Sequence, residues 1–117
     1  MRLNEITYSD ARPVDSYGPG FFRVGGTVHE GAMCLSANGV SPWGGYGDAD
    51  TLRALIGEID VLFIGTGAEI AHIPADLRDT LESEGLGVEV MASPAACRTF
   101  NVLLSEGRRV AIAVLPV

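Results

Sequence analysis

Ser93-Pro94-Ala95-Ala96-Cys97-Arg98-Thr99-Phe100-Asn101-Val102-Leu103-Leu104-Ser105-Glu106-Gly107-Arg108-Arg109 reads as a helix that runs directly into a strand over residues 110–115. At about 100° per residue, Ala96, Phe100, Leu103 and Leu104 share one face, the side that meets a core. Arg98, Asn101 and Ser105 form a second stripe, with Cys97 on the boundary between the two. Ser93 is a good N-cap residue and Pro94 suits the first helical position. The polar stripe is more specific than packing requires.

Working back from this stretch, residues 88–91 read as a strand, and residues 74–84 as a helix with Ile73, Leu77 and Leu81 on one face. Pro74 suits its first turn and Gly85 its C-terminal cap. Residues 61–64 form a continuous apolar run between Asp60 and Gly65, as expected of a strand buried on both faces. Leu52, Leu55, Ile56 and Ile59 fall at helical spacing, with Asp48 or Asp50 as N-cap. The strand at 61–64 and the strand at 88–91 should be joined by a right-handed parallel crossover. Spacing does not decide the orientation of the last strand.

The first half follows another rule. Residues 3–8 alternate loosely as a strand, which Asp10-Ala11-Arg12-Pro13-Val14-Asp15 breaks, and Tyr17-Gly18-Pro19-Gly20 forms a turn. Strands over 21–24, 27–29, 32–36 and 39–41 are separated by Gly25-Gly26, Glu30-Gly31 and Asn38-Gly39, two of which are hairpin signals. The first 43 residues therefore read as an antiparallel β unit. One domain over residues 1–117 is expected, with a β-rich part to about residue 47 and an αβαβαβ part from about residue 48. Its central sheet should be covered by helices, with hairpins packed at one side.

Composition narrows the function. Fifteen acids against eight bases give a net charge of −7, which repels phosphate backbones and anionic lipid, so no nucleic-acid partner is expected. No apolar run approaches the roughly 18 residues of a membrane span, so no membrane insertion is expected. Residues 1–5 have neither a signal core nor the character of a transit peptide, which predicts a cytoplasmic protein with Cys34 and Cys97 reduced.

The pattern from Ala95 to Leu103, with Glu106-Gly107-Arg108-Arg109-Val110, resembles a domain family of unknown function. That family contains the mitochondrial respiratory complex I assembly factor 3 and the adipogenesis-associated Mth938-domain protein. Phe21-Phe22-Arg23-Val24-Gly25-Gly26, Gly31-Ala32, Pro42-Trp43 and Ile64-Gly65-Thr66-Gly67 agree with it, so the likeness runs from Tyr17 to Leu115. The resemblance implies a three-layer α/β domain with a mixed, mostly parallel central sheet, one strand running against the rest. It implies no established activity, and it implies an accessory or assembly role with another protein as partner. Phe100 stands where the family usually has tyrosine, so no role for a phenolic hydroxyl carries over.

Candidate sites follow from position. Ligands of open α/β sheets bind beyond the carboxyl ends of parallel strands, where Gly65, Thr66, Gly67 and Ser93 would meet. With Arg98 and Asn101 nearby, these residues form a candidate site for a carboxylate or phosphate. The alternative is that the glycines only turn the chain and Ser93 only caps. Arg98 fits pairing with Glu106 or Asp60 equally well, and Asn101 fits tying down a loop backbone. Trp43 and Tyr46 are candidate partner contacts, unless Trp43 folds over the sheet edge. Cys97 near a helix N-terminus is a third possibility, a nucleophile without an adjacent histidine. Position 70 is Ile, not the glycine a dinucleotide loop needs. His29, Cys34, His72 and Cys97 lack metal-ligand spacing. No catalytic set, metal or cofactor is expected, and the oligomeric state is open.

Overall fold

Two sheets organise the chain in the computed structural model, which describes residues 12–117. Strands β1 (Val14–Gly18), β2 (Phe21–Val24) and β3 (Thr27–Glu30) form an antiparallel sheet in that order. The second sheet contains β4 (Met33–Ser36), β5 (Gly39–Pro42), β6 (Val61–Gly65), β7 (Gly87–Met91) and β8 (Val110–Val114), ordered β5-β4-β8-β6-β7. Strand β8 runs parallel to β6, and β6 parallel to β7, while β4 is antiparallel to both β8 and β5. Thus β4 alone runs against the other four. The mixed sheet implied by the family resemblance is present, and the last strand is parallel.

Three helices cover this sheet: α1 (Ala49–Arg53), α2 (Ala75–Ser83) and α3 (Ser93–Ser105). Alternation along the strands divides the core between two faces. Leu62, Ile64, Ala111, Ala113 and Cys34 pack with Leu52 of α1 and with Leu77 and Leu81 of α2. Phe63, Val110, Ile112, Val114, Met33 and Leu35 pack with Ala96, Cys97 and Phe100 of α3 and with Phe22 and Val24 of the small sheet. The result is a three-layer α/β domain. All five residues of β8 are buried, as its position at the sheet centre demands.

Four sequence expectations need correction. The first 43 residues do not form one β unit, because β4 and β5 leave the first sheet and join the central one. Residues 14–18 form β1 where a break and a turn were expected; Asp15, Ser16 and Tyr17 are all exposed, so no apolar alternation announces the strand. The helix after Asp48 stops at Arg53, beyond which Leu55 N bonds Leu52 O and Ile56 N bonds Arg53 O in tight turns, with Gly57 following at a φ of +87°. Leu55 and Ile59 still reach the core from those turns. The β4–β5 hairpin turns on Ala37-Asn38, one residue before Asn38-Gly39, since Ser36 pairs with Gly39. By contrast the Gly25-Gly26 turn stands as expected, with positive φ at both glycines and Val24 paired to Thr27. The strand expected over residues 3–8 lies outside the described residues.

Candidate functional site

The carboxyl ends of β6, β7 and β8 converge on the first residue of α3. Gly67 N donates to Ser93 Oγ at 2.9 Å, and Ser93 N donates to Gly67 O at 2.8 Å. The Ser93 hydroxyl in turn donates to Leu115 O at 2.6 Å. Leu115 N donates to Gly65 O, and Thr66 N to Met91 O. Thr66 Oγ1 donates to Glu69 O at 2.7 Å and accepts from Ala71 N at 3.1 Å, folding the loop after β6 back on itself.

Ser93 is therefore not the N-cap of α3. Ala92 holds that position without a side-chain bond, Ser93 is the first helical residue, and Pro94 follows it. The hydroxyl is fully buried and joins the glycine turn to the end of β8 instead of satisfying its own helix. Gly65, Thr66, Gly67 and Ser93 are thus brought together, and the hydrogen-bonding groups named above are engaged with one another.

Arg98 and Asn101 lie elsewhere. The Asn101 side chain turns toward β1, its Oδ1 accepting from Val14 N at 2.8 Å and its Nδ2 donating to Val14 O at 2.9 Å. This pair fixes the amide orientation and gives Val14 the two bonds a neighbouring strand would supply. Asn101 thereby fastens the small sheet to α3. Asn101→Ala is expected to cost about 2 kcal/mol, since two backbone groups lose their partner. Hydrogen exchange at the Val14 amide should speed accordingly; unchanged exchange would show that the strand is held by other means.

Arg98 is exposed on the outer side of α3, and Asp60, one partner considered for it, pairs with Arg109 at 3.2 Å. Trp43 is 4% exposed, in the core cluster with Cys34 and Leu52, its Nε1 donating to Asp48 O and its ring edge-on to Tyr46. Asp48 caps α1 by accepting from Thr51 N and Thr51 Oγ1, and it also accepts from Gly44 N. These bonds, that from the Thr51 hydroxyl first, hold its carboxyl below the usual range.

Both thiols are buried, on opposite faces of the central sheet, so Cys34 and Cys97 cannot share a metal. Burial pushes each thiol up to about 11, against the opposing pull of Arg98 in the case of Cys97. That direction is opposite to the activation of a nucleophile. The folded state holds these protons more tightly than an unfolded chain, whose thiols titrate near 9. Stability from this source is complete below that value and is lost as pH rises from 9 toward 11. Native protein at pH 8 should alkylate slowly with iodoacetamide and rapidly once unfolded in urea. Fast native labelling of Cys97 would contradict this burial.

A cleft that sequence reasoning missed lies beside β7. It measures about 310 Å³ and is lined by Ile70, Ala71, His72, Ile73, Arg78 and Val90. The signal in the sequence is Ile70, an apolar residue in a loop outside any helical spacing, and the structure leaves it 68% exposed.

A family model described as a protein of unknown function (DUF498/DUF598) matches residues 14–115. The chain belongs to this family. An uncharacterised member from Rhodobacter capsulatus is 48% identical over 116 residues, covering 99% of this chain and 94% of that protein. NADH dehydrogenase (ubiquinone) 1 alpha subcomplex assembly factor 3 from Danio rerio is 33% identical over 108 residues, or 86% of this chain. The chain spans 62% of that factor's length. The crystal structure of an outer membrane protein from Bartonella henselae superposes with a TM-score of 0.81 at 34% identity, covering 89% of this chain and 93% of that one. Among the described residues of this chain, no helix is long and apolar enough to cross a membrane.

Proposed function

We propose that this family member is a non-enzymatic accessory protein that acts through contacts with another protein, in the assembly of a membrane NADH dehydrogenase. The observation that carries the reading is the 33% identity to an assembly factor across 86% of the chain. The strand ends support it from the physical side. The place where an open α/β sheet would receive a ligand is occupied by the chain's own Ser93, Gly67 and Leu115 bonds. The net charge of −7 opposes a nucleic-acid partner, and the reading needs neither cofactor nor metal. It also assigns the protein to the cytoplasm.

Deleting the gene in its native host tests the proposal. Native gels of the membrane fraction should show less assembled NADH dehydrogenase and more subcomplex, restored by a plasmid-borne copy. Unchanged assembly and unchanged NADH–quinone activity would overturn it. The competing reading, a small-anion site at Gly65, Thr66, Gly67 and Ser93, predicts a thermal shift with phosphate or carboxylates, and the accessory reading predicts none.

A further inference from the structure

Charge is divided unevenly between the two outer layers. Residues 45–86 supply α1, α2 and the loops around them, and carry nine Asp and Glu against two Arg, a net of −7. Residues 87–117, which include α3, carry Arg98, Arg108 and Arg109 against Glu89 and Glu106, a net of +1. Residues 12–44 balance at zero, with Arg12 and Arg23 against Asp15 and Glu30. The excess acid of the chain therefore sits in the segment that builds one layer, and the α3 side is free of it.

On α3 the outward stripe is Arg98, Val102 and Ser105, spaced four and three residues apart, all exposed. Val102 is 55% exposed at its centre. Arg108 lies exposed just beyond the helix, after Gly107 with its φ of +80°. Strand β1 is fastened to α3 through Asn101 and Val14, and it adds Tyr17, 40% exposed. Arginine and tyrosine are side chains from which protein interfaces draw their anchors.

We infer that the outer face of α3 docks an acidic segment of a partner protein, whose carboxylates meet Arg98 and Arg108 around an apolar side chain seated on Val102. The inference rests on the reading that the domain works through protein contacts, and it names the surface. Charge complementarity selects the occupant: this side carries Arg98, Arg108 and Arg109 against Glu89 and Glu106, where the segment of α1 and α2 carries nine acids against two arginines. An anionic membrane fits less well. Val102 and Tyr17 offer little area to insert, and the whole molecule is repelled. A second copy, offering its acidic layer, would stack head to tail.

The probe is a short synthetic peptide with Glu and Leu at helical spacing, compared with the same peptide carrying Lys in place of Glu. Titrated into isotopically labelled protein at low salt, the acidic peptide should shift the amide signals of Arg98, Val102 and Ser105, and the basic one should not. The double variant R98E/R108E should weaken binding by about tenfold or more, and raising salt from about 0.01 M to about 0.15 M should weaken it too. The matched pair R53E/R78E changes total charge equally on the opposite layer and should keep binding. Arg98, Arg108 and Arg53 are exposed and Arg78 is half-buried, and R53E/R78E also breaks the pairs of these two arginines with Glu84 and Glu82, so the amide spectra of both doubles report whether the fold is retained.

Absence of binding, shifts on another face, or equal loss in R53E/R78E would overturn the inference. So would binding to phosphatidylglycerol vesicles in place of the peptide, or shifts that depend on protein concentration alone. In the deletion host, full rescue by R98E/R108E would remove this surface while leaving the accessory reading intact.

Discussion

Gly65→Ala is expected to destabilise the protein by about 3 kcal/mol. A Cβ at this position would stand 2.6 Å from Ser93 Oγ, 2.7 Å from Val114 Cγ1 and 2.8 Å from Ser93 Cα. The first contact is with a rotatable hydroxyl. The third is with the backbone of α3, and relieving it means displacing the helix from the sheet. Interiors packed to crystal-like density have no slack for such a shift. Urea titration should show a lower midpoint with an unchanged slope, because the surface exposed on unfolding stays the same. A midpoint within error of the parent would mean that α3 can move away from β6 at little cost.

Ser93→Ala is expected to cost about 2–3 kcal/mol for a different reason. The hydroxyl is both acceptor for Gly67 N and donor to Leu115 O, in a position with no solvent exposure. Its removal strands a buried donor and a half-buried acceptor at once. The two variants should not add. Ser93→Ala removes the oxygen that lies nearest the new methyl of Gly65→Ala, so the double variant should be less unstable than the sum by about 1 kcal/mol. Strict additivity would show that the clash with Val114 and the helix backbone dominates. A Ser93→Ala variant as stable as the parent would show that other groups satisfy Gly67 and Leu115.

Much of this fold is legible in the residues because its determinants are local. The apolar face of α3, the Gly25-Gly26 turn and the uninterrupted apolar run of β6 each depend on a few neighbouring positions. What escapes local reading depends on partners far away in the chain. Ser93 looks like an N-cap because serine before a helix usually is one. Its bonds instead reach 26 residues back and 22 residues forward. Asn101 sits on a polar stripe beside Arg98 and Ser105, yet it serves Val14, 87 positions earlier. Strand β1 hides because its three central residues are all exposed and none of them marks a buried face. Of the six candidate positions, Gly65, Thr66, Gly67 and Ser93 gather at the strand ends, Arg98 faces outward and Asn101 faces β1.

The sheet order also bears on how the protein is made. Strand β8 separates β4 from β6, so the pairs β4–β5 and β6–β7 share no backbone bond until it arrives between them. A ribosome emits β8 after all of its neighbours. Until then the growing chain holds two half-sheets with unpaired inner edges, of the kind that recruit foreign strands. Formation of the native sheet is thus deferred to the end of translation of this domain. A stalled chain lacking the last strand should be a better client for chaperones than one stopped earlier, before β6 and β7 exist.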